Sequence, residues 1–176
     1  MKIPYNELLL DNINRASGME LEELSAICGL VKMKQPKTIL EIGTKHGRTA
    51  INMANVAPAD CHITCVDIEH LDHTAIAGYL AFRKLQFITG DSLKFDFKTL
   101  KTKFDFILVD GCHMAEWVKN DTKKAYQVLA PRGVIVWHDY GKPASYTTIQ
   151  VKETLDAMKI FPTVIPGTSL AYKIVG

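Results

Sequence analysis

The sequence predicts an α/β fold, a doubly wound seven-stranded sheet with helices on both faces and its last strand antiparallel. Three observations predict it. Short runs rich in Ile, Val and Phe alternate with segments of helical period. Several of those runs are apolar on both faces, as strands of a covered parallel sheet are. The last two runs are joined by a link too short for a parallel crossover, so the final strand must reverse.

In chain order, residues 1–37 form an N-terminal helical segment, with a helix over Met19–Val31 that ends before Pro36. A first strand, Thr38–Gly43, leads into a helix over Arg48–Val56. A second, His62–Ile68, leads into a helix over Thr74–Phe82. The third, Leu85–Thr89, is followed by a short helical turn at Phe97–Leu100. The fourth, Phe104–Asp110, precedes a helix over Met114–Leu129, whose buried stripe is Trp117, Val118, Ala125, Val128 and Leu129. The fifth, Gly133–Asp139, precedes a helix over Ser145–Met158, with Ile149, Val151, Leu155 and Met158 facing in. Phe161–Ile165 and Leu170–Val175 then pair as a hairpin across Pro166-Gly167-Thr168-Ser169. At 176 residues the chain suits one domain spanning 1–176.

Composition narrows the function classes. Net charge is +2 with basic residues dispersed, so nucleic-acid binding is not implied. No apolar run is long enough to span a bilayer, and the N-terminus lacks the apolar core of a secretory signal. Cys28, Cys61, Cys65 and Cys112 form no C-x-x-C pair and read as free thiols in a reducing cytoplasm.

Ligands of open α/β sheets sit beyond the carboxyl ends of the strands. Each of the first five strand ends here carries an acid: Glu41, Asp67, Asp91, Asp110 and Asp139. Gly43 and Gly47 allow the first loop to approach a ligand closely. Asp67 follows one βα unit later, near the spacing at which an acid accepts from ribose hydroxyls. Asp91 and Ser92 suit an adenine amino group. No phosphate-gripping G-x-x-x-x-G-K-[ST] is present, and an acidic rim suits a cationic sulfonium better than a pyrophosphate.

The motifs EIGTKHG, VDIE, GDS, FDFILVDGCH and LAPRGVIVWHDY, in this order and spacing, resemble the class I S-adenosylmethionine-dependent methyltransferases over about Thr38 to Val175. The run VDG-x-H, an acid at Asp121 and then L-x-P-x-G-V-I-x-x-HDY is similar to a small-molecule O-methyltransferase branch, methyltransferase family 24, which includes cephalosporin hydroxylase-like proteins. The resemblance implies a Rossmann-like methyltransferase fold and O-methylation of a small-molecule or sugar hydroxyl. It implies a methionine-side loop of Glu41, Gly43, Thr44, Lys45 and Gly47. Asp67 and Ile68 would meet the ribose, and Asp91 and Ser92 the adenine. Asp110 would lie beside the sulfonium. Asp110 and Asp139 match positions that hold a divalent metal such as Mg²⁺ in some members, although His138 stands where a second acid is common. Lys45 and Arg132 occupy positions where glycine is usual.

Bland readings compete at several residues. His113 and His138 are either general bases, oriented by Asp110 and Asp139, or a turn histidine and a strand cap. Asp121, among lysines, reads as a solvated surface acid. Trp117 and Trp137 read as core, with Trp137, Tyr140 and Tyr146 as alternative walls of an acceptor pocket. His70 and His73 lack the further ligands zinc needs. With few residues before the first strand, the acceptor site is open, completed by the N-terminal helix, or closed by another copy in a homo-oligomer. Two other classes stay in view: a non-catalytic S-adenosylmethionine-binding sensor or assembly partner, and a nicotinamide-dependent oxidoreductase.

Overall fold

A computed structural model describes residues 1–10, 19–70, 72–141 and 146–176. The elements are α1 (Leu21–Lys34), β1 (Thr38–Ile42), α2 (Arg48–Val56), β2 (His62–Asp67), α3 (Thr74–Ala77), β3 (Leu85–Thr89), β4 (Phe104–Val109), α4 (Ala115–Val128), β5 (Leu129–Trp137), α5 (Tyr146–Ala157), β6 (Thr163–Val164) and β7 (Ala171–Ile174). The sheet has seven strands in the order β3-β2-β1-β4-β5-β7-β6. β1 to β5 pair in parallel, and β7 runs antiparallel to both β5 and β6. The reversed last strand follows from the short link around Pro166-Gly167-Thr168-Ser169, as the sequence predicts, although both strands are shorter than expected and the link spans residues 165–170.

The sheet separates two apolar layers. Ile39, Phe106, Leu108, Val134 and Val136 pack toward α1 and α2. Leu40, Ile42, Ile107, Val109, Ile135 and Trp137 pack toward α4 and α5. The odd–even split along each strand is the pleat, and burial of both sets explains why the runs read as continuously apolar.

Several boundaries move for local reasons. The helix expected over Thr74–Phe82 is a four-residue α3 followed by a 3-10 turn at Leu80–Lys84. Gly78 stands between them, and glycine weakens helix propagation. β5 begins at Leu129, which bridges to Phe104, so Leu129 belongs to the sheet rather than to the helix stripe. α1 runs three residues beyond Val31 and ends at Gln35 in the left-handed region, one residue before Pro36. On α5, Val151 and Leu155 are buried as expected, but Ile149 is exposed. The expected start of that helix at Ser145 and the side chain of Tyr146 lie outside the described residues.

β1 and β4 are sheet neighbours whose chains leave in opposite directions, β1 toward β2 and β4 toward β5. That switch point, at the strands' carboxyl ends, is where the topology leaves a crevice.

Candidate active site

A cleft of ≈ 650 Å³ occupies the switch point. Its wall takes residues from all five parallel strand ends, including Gly43, Asp67, Asp91, Asp110 and Asp139. The first loop turns tightly. Gly43 and Gly47 have φ of 86° and 79°, and Lys45 between them has φ 49°. Asp67 Oδ2 accepts from the backbone N–H of Thr44 and of Lys45, both at 2.8 Å. So Asp67 lines the cleft and also ties its floor loop, a role beyond the ribose contact that the resemblance implies. Lys45 adopts the left-handed conformation that a glycine would take there, and the loop closes normally around it.

The adenine-side candidates also meet at the wall. Ile68, 62% exposed, presents a bare apolar face beside Glu69. Asp91 Oδ1 accepts from Leu93 N–H, which shapes the turn after β3. Lys124 Nζ donates to the carbonyls of Ser92, Leu93 and Phe95 and pins that turn to α4.

The chemistry-bearing cluster sits at the ends of β4 and β5. Asp110 Oδ1 lies 3.0 Å from His138 Nδ1 and 3.7 Å from His113 Nε2. Asp139 Oδ2 lies 3.1 Å from each of those same nitrogens. Yet neither nitrogen has an aligned hydrogen-bond partner. The atoms crowd around one point rather than point at one another. Asp139 holds its place with φ 59°, a strained backbone of the kind found at functional sites.

Charge sets the state of this cluster. Burial opposes ionisation of His138, but Asp110, Asp139 and Glu23 outweigh it and hold the imidazole pKa well above its usual value. Burial would likewise raise Asp110, but the charge of His138 and the nearby His113 bring it below the usual carboxylate range. Donor atoms of Asp110, His113 and His138 lie within 4.8 Å of one another. Metal–nitrogen and metal–oxygen bonds of about 2.1 Å make polyhedron edges of roughly 3.0 to 3.4 Å, the scale of the contacts here. The residues therefore fit a divalent cation. Two imidazoles with the Asp110 carboxylate, and Asp139 beside both rings, suit Mn²⁺ or Zn²⁺ better than the oxygen-seeking Mg²⁺.

Other expectations are corrected. Glu41 does not reach the cleft: it is fully buried on the face of β1 that packs toward α2, and neither carboxylate oxygen has an aligned partner. Burial pushes its carboxyl far up, and Thr44 and Cys65 draw it back only in part. Trp137 is wholly buried and donates to Thr122 at 3.0 Å, whereas Trp117 is the tryptophan on the cleft wall. Tyr140 packs in the core and donates to Asp156 at 2.8 Å, away from any acceptor pocket. Asp121 is not a solvated acid: it is 1% exposed and accepts from Asn120 Nδ2 at 2.8 Å. Burial raises its pKa, against a hydrogen bond from Ser92.

Two participants come from the N-terminal segment. Met19 lines the cleft, and Glu23 reaches His138. Met19, the first residue of the helix expected from the sequence, thus adds to the wall just ahead of α1. Glu23 has no local sequence signal, because its meaning depends on a contact with a residue 115 positions away.

Strand order, reversed β7 and an acid-lined crevice at the switch point define a methyltransferase-type α/β protein rather than a phosphate-gripping dinucleotide binder. Residues 40–140, more than half of the chain, match the family described as methyltransferase domain, family 24, and the chain belongs to that family. Solved structures agree in fold. The O-methyltransferase TomG from Streptomyces achromogenes, involved in tomaymycin synthesis and bound to SAM, is 17% identical with a TM-score of 0.70, over 90% of this chain and 82% of that one. An O-methyltransferase from Bacillus cereus in complex with SAH is 16% identical with a TM-score of 0.68, over 92% and 84% of the two chains. The SAH-bound methyltransferase PaMTH1 of Podospora anserina is 18% identical with a TM-score of 0.66, over 92% and 79%. No curated protein matches the sequence.

Proposed function

We propose that this protein transfers a methyl group from S-adenosylmethionine to a hydroxyl of a small molecule, a sugar included. The observation that carries this reading is the placement of the Asp110–His113–His138–Asp139 cluster at one end of a cleft whose other walls suit an adenosyl group. Ile68 offers the apolar face a base stacks on, Asp91 and Ser92 stand where the adenine edge would lie, and Asp67 and Glu69 face the ribose. Gly43, Thr44, Lys45 and Gly47 wrap the methionine end, with the Lys45 ammonium available to its carboxylate. The sulfonium then faces Asp110. The methyl group moves by in-line displacement to the acceptor oxygen, and the protein's contribution is alignment and removal of the hydroxyl proton.

An acceptor hydroxyl that reaches the cluster meets Asp110 and Asp139, both hydrogen-bond acceptors when ionised. His113, the most exposed member of the cluster, is the group that can pass the proton to solvent. A divalent cation held by Asp110, Asp139, His113 and His138 would take the place of the proton on His138 and lower the hydroxyl's pKa.

The non-catalytic reading draws on Lys45 and on the small size of the chain; the loop that closes around Lys45 speaks against the first of these. A further copy of the chain closing the open side of the cleft, and a reducing cytoplasm suited to the free cysteines, complete the proposal. Calorimetric titration with S-adenosylmethionine and S-adenosylhomocysteine tests the first step. Methyl transfer to a panel of hydroxyl acceptors tests the second. No binding of either ligand overturns the reading, and binding without transfer to any acceptor returns the protein to the sensor class. Tighter binding of NADH than of S-adenosylhomocysteine would favour the oxidoreductase class. Light scattering that shows only monomer at working concentration would remove the oligomer.

A further inference from the structure

Glu23 does not line the cleft, yet it is 7% exposed and both its carboxylate oxygens are engaged. Its Oε1 accepts from the backbone N–H of Ser169 at 2.7 Å and from the Ser169 hydroxyl at 2.6 Å. Its Oε2 accepts from Glu20 N–H at 3.1 Å and lies 3.0 Å from His138 Nε2. Ser169, in the link between β6 and β7, is itself tied to the end of β5: its Oγ accepts from Asp139 N–H at 3.3 Å and its carbonyl from Gly141 N–H at 2.8 Å. One carboxylate therefore joins the start of α1, the β6–β7 hairpin and the strand end that carries His138 and Asp139.

We propose that Glu23 is a positioning residue that fixes the orientation and the tautomer of His138. The reason lies in what each group can offer. An ionised carboxylate only accepts, so the nitrogen facing Glu23 must donate, and Nε2 carries a proton. Whenever His138 is neutral, Nδ1 is then the bare nitrogen, and it is the one aimed at Asp110, Asp139 and the cleft. A lone pair and two carboxylates gathered at one point ask for a cation or for the proton of a hydroxyl. A ring flipped by 180° would turn that nitrogen away from the cleft. Histidines that act on metals or protons are commonly held through their far nitrogen in this way. The inference rests on the reading of His138 as a group that acts at the reaction site.

Glu23→Gln separates the possibilities. The single amide oxygen cannot serve both Ser169 N–H and His138. When it stays with Ser169, the amide nitrogen faces Nε2 as a donor and drives the proton to Nδ1. Proton and nitrogen-15 NMR of the imidazole then shows a downfield, slowly exchanging Nε2–H, held by the Glu23 carboxylate, in the wild-type protein, and this resonance moves upfield or exchanges away in the variant. With Mn²⁺ alone as probe, affinity falls by roughly 10- to 100-fold in Glu23→Gln. S-adenosylhomocysteine affinity stays within about twofold, because Glu23 is not itself a lining residue and reaches the cleft only through His138. Ser169→Ala, which keeps the carboxylate and its backbone bond but removes one of the two donors to Oε1, gives a smaller loss of Mn²⁺ affinity in the same direction, and it serves if Glu23→Gln does not fold. An unchanged His138 Nε2–H resonance and unchanged Mn²⁺ affinity in both variants overturn the proposal. Should the wild-type protein bind no Mn²⁺, the cation part of the functional reading fails, and the Nε2–H resonance alone still decides the role of Glu23.

Discussion

Gly43 and Asp110 pack backbone to backbone: a Cβ at Gly43 would lie 2.2 Å from the Asp110 carbonyl oxygen. The first loop and the fourth strand end thus share a space that only glycine leaves open, and the φ of 86° demands glycine independently. Gly43→Ala must displace the strand end that carries Asp110. Expected is a loss of at least about 2 kcal/mol of stability in denaturant titration, with S-adenosylhomocysteine binding lost in calorimetry.

Lys45 and Arg132 both hold left-handed backbone, at φ 49° and 58°, and offer a matched pair. Arg132 is remote from the cleft, and its carbonyl accepts from Lys34 Nζ at 2.6 Å. Replacing either residue by glycine relieves strain but adds freedom to the unfolded chain, so each raises stability by up to about 1 kcal/mol. Only Lys45→Gly lowers affinity for S-adenosylmethionine, by roughly 3- to 10-fold, the scale of one ion pair partly screened by solvent. Equal affinity in both variants would show that the ammonium takes no part.

Glu41 makes stability fall as pH rises. Its folded pKa lies well above the ordinary value of 4.5 because it is buried, so above that pH the unfolded chain binds fewer protons than the folded one. Its contribution is complete below about pH 4.5 and is lost as pH climbs toward the folded pKa, with a limiting slope of about 1.4 kcal/mol per unit. In Glu41→Gln this slope disappears. Melting temperatures at pH 5 and pH 8 should differ less in the variant than in the wild-type protein.

Asp121→Ala should cost about 1 to 3 kcal/mol, where a surface acid would cost under about 0.5. The carboxylate is buried beneath the turn of Gly111 and holds Asn120, whose amide in turn donates to the Ser92 carbonyl at 2.9 Å. Cofactor affinity should weaken together with stability, because Ser92 lines the cleft.

Chelation of divalent ions is expected to lower turnover at least tenfold, with Mn²⁺ restoring it better than Mg²⁺ does, as the two imidazoles predict. His113→Ala should weaken Mn²⁺ binding 10- to 100-fold and leave S-adenosylhomocysteine binding unchanged. Turnover indifferent to chelator would leave His113 acting on the proton alone.

Strand and helix order were legible because burial on both faces writes continuous apolar runs into β1, β4 and β5, and because Pro166-Gly167 forces the reversal of β7. The strand-end acids were legible for the same reason, since topology alone sends every carboxyl end to one edge. What was not legible depended on three-dimensional neighbours. Asp121 reads as exposed beside Lys119, Lys123 and Lys124, yet Lys124 folds back to cap the β3 turn and the helix presents Asp121 inward. Glu41 stands one residue before a functional loop but points along the pleat into the layer below it. Trp137 is in the core as expected because the β5 residue faces α4, whereas Trp117, also expected there, overhangs the crevice from the helix.

The latch between Glu23, Ser169 and His138 bears on where a working fragment could begin and end. The matched family region, 40–140, contains every residue of the cluster but neither Glu23 nor Ser169. A fragment cut to those limits would keep the acids of the crevice and lose the grip on the imidazole from both sides. Shuffling this cassette onto another methyltransferase would transplant the ligands without their alignment, so the two ends of the chain must travel with it.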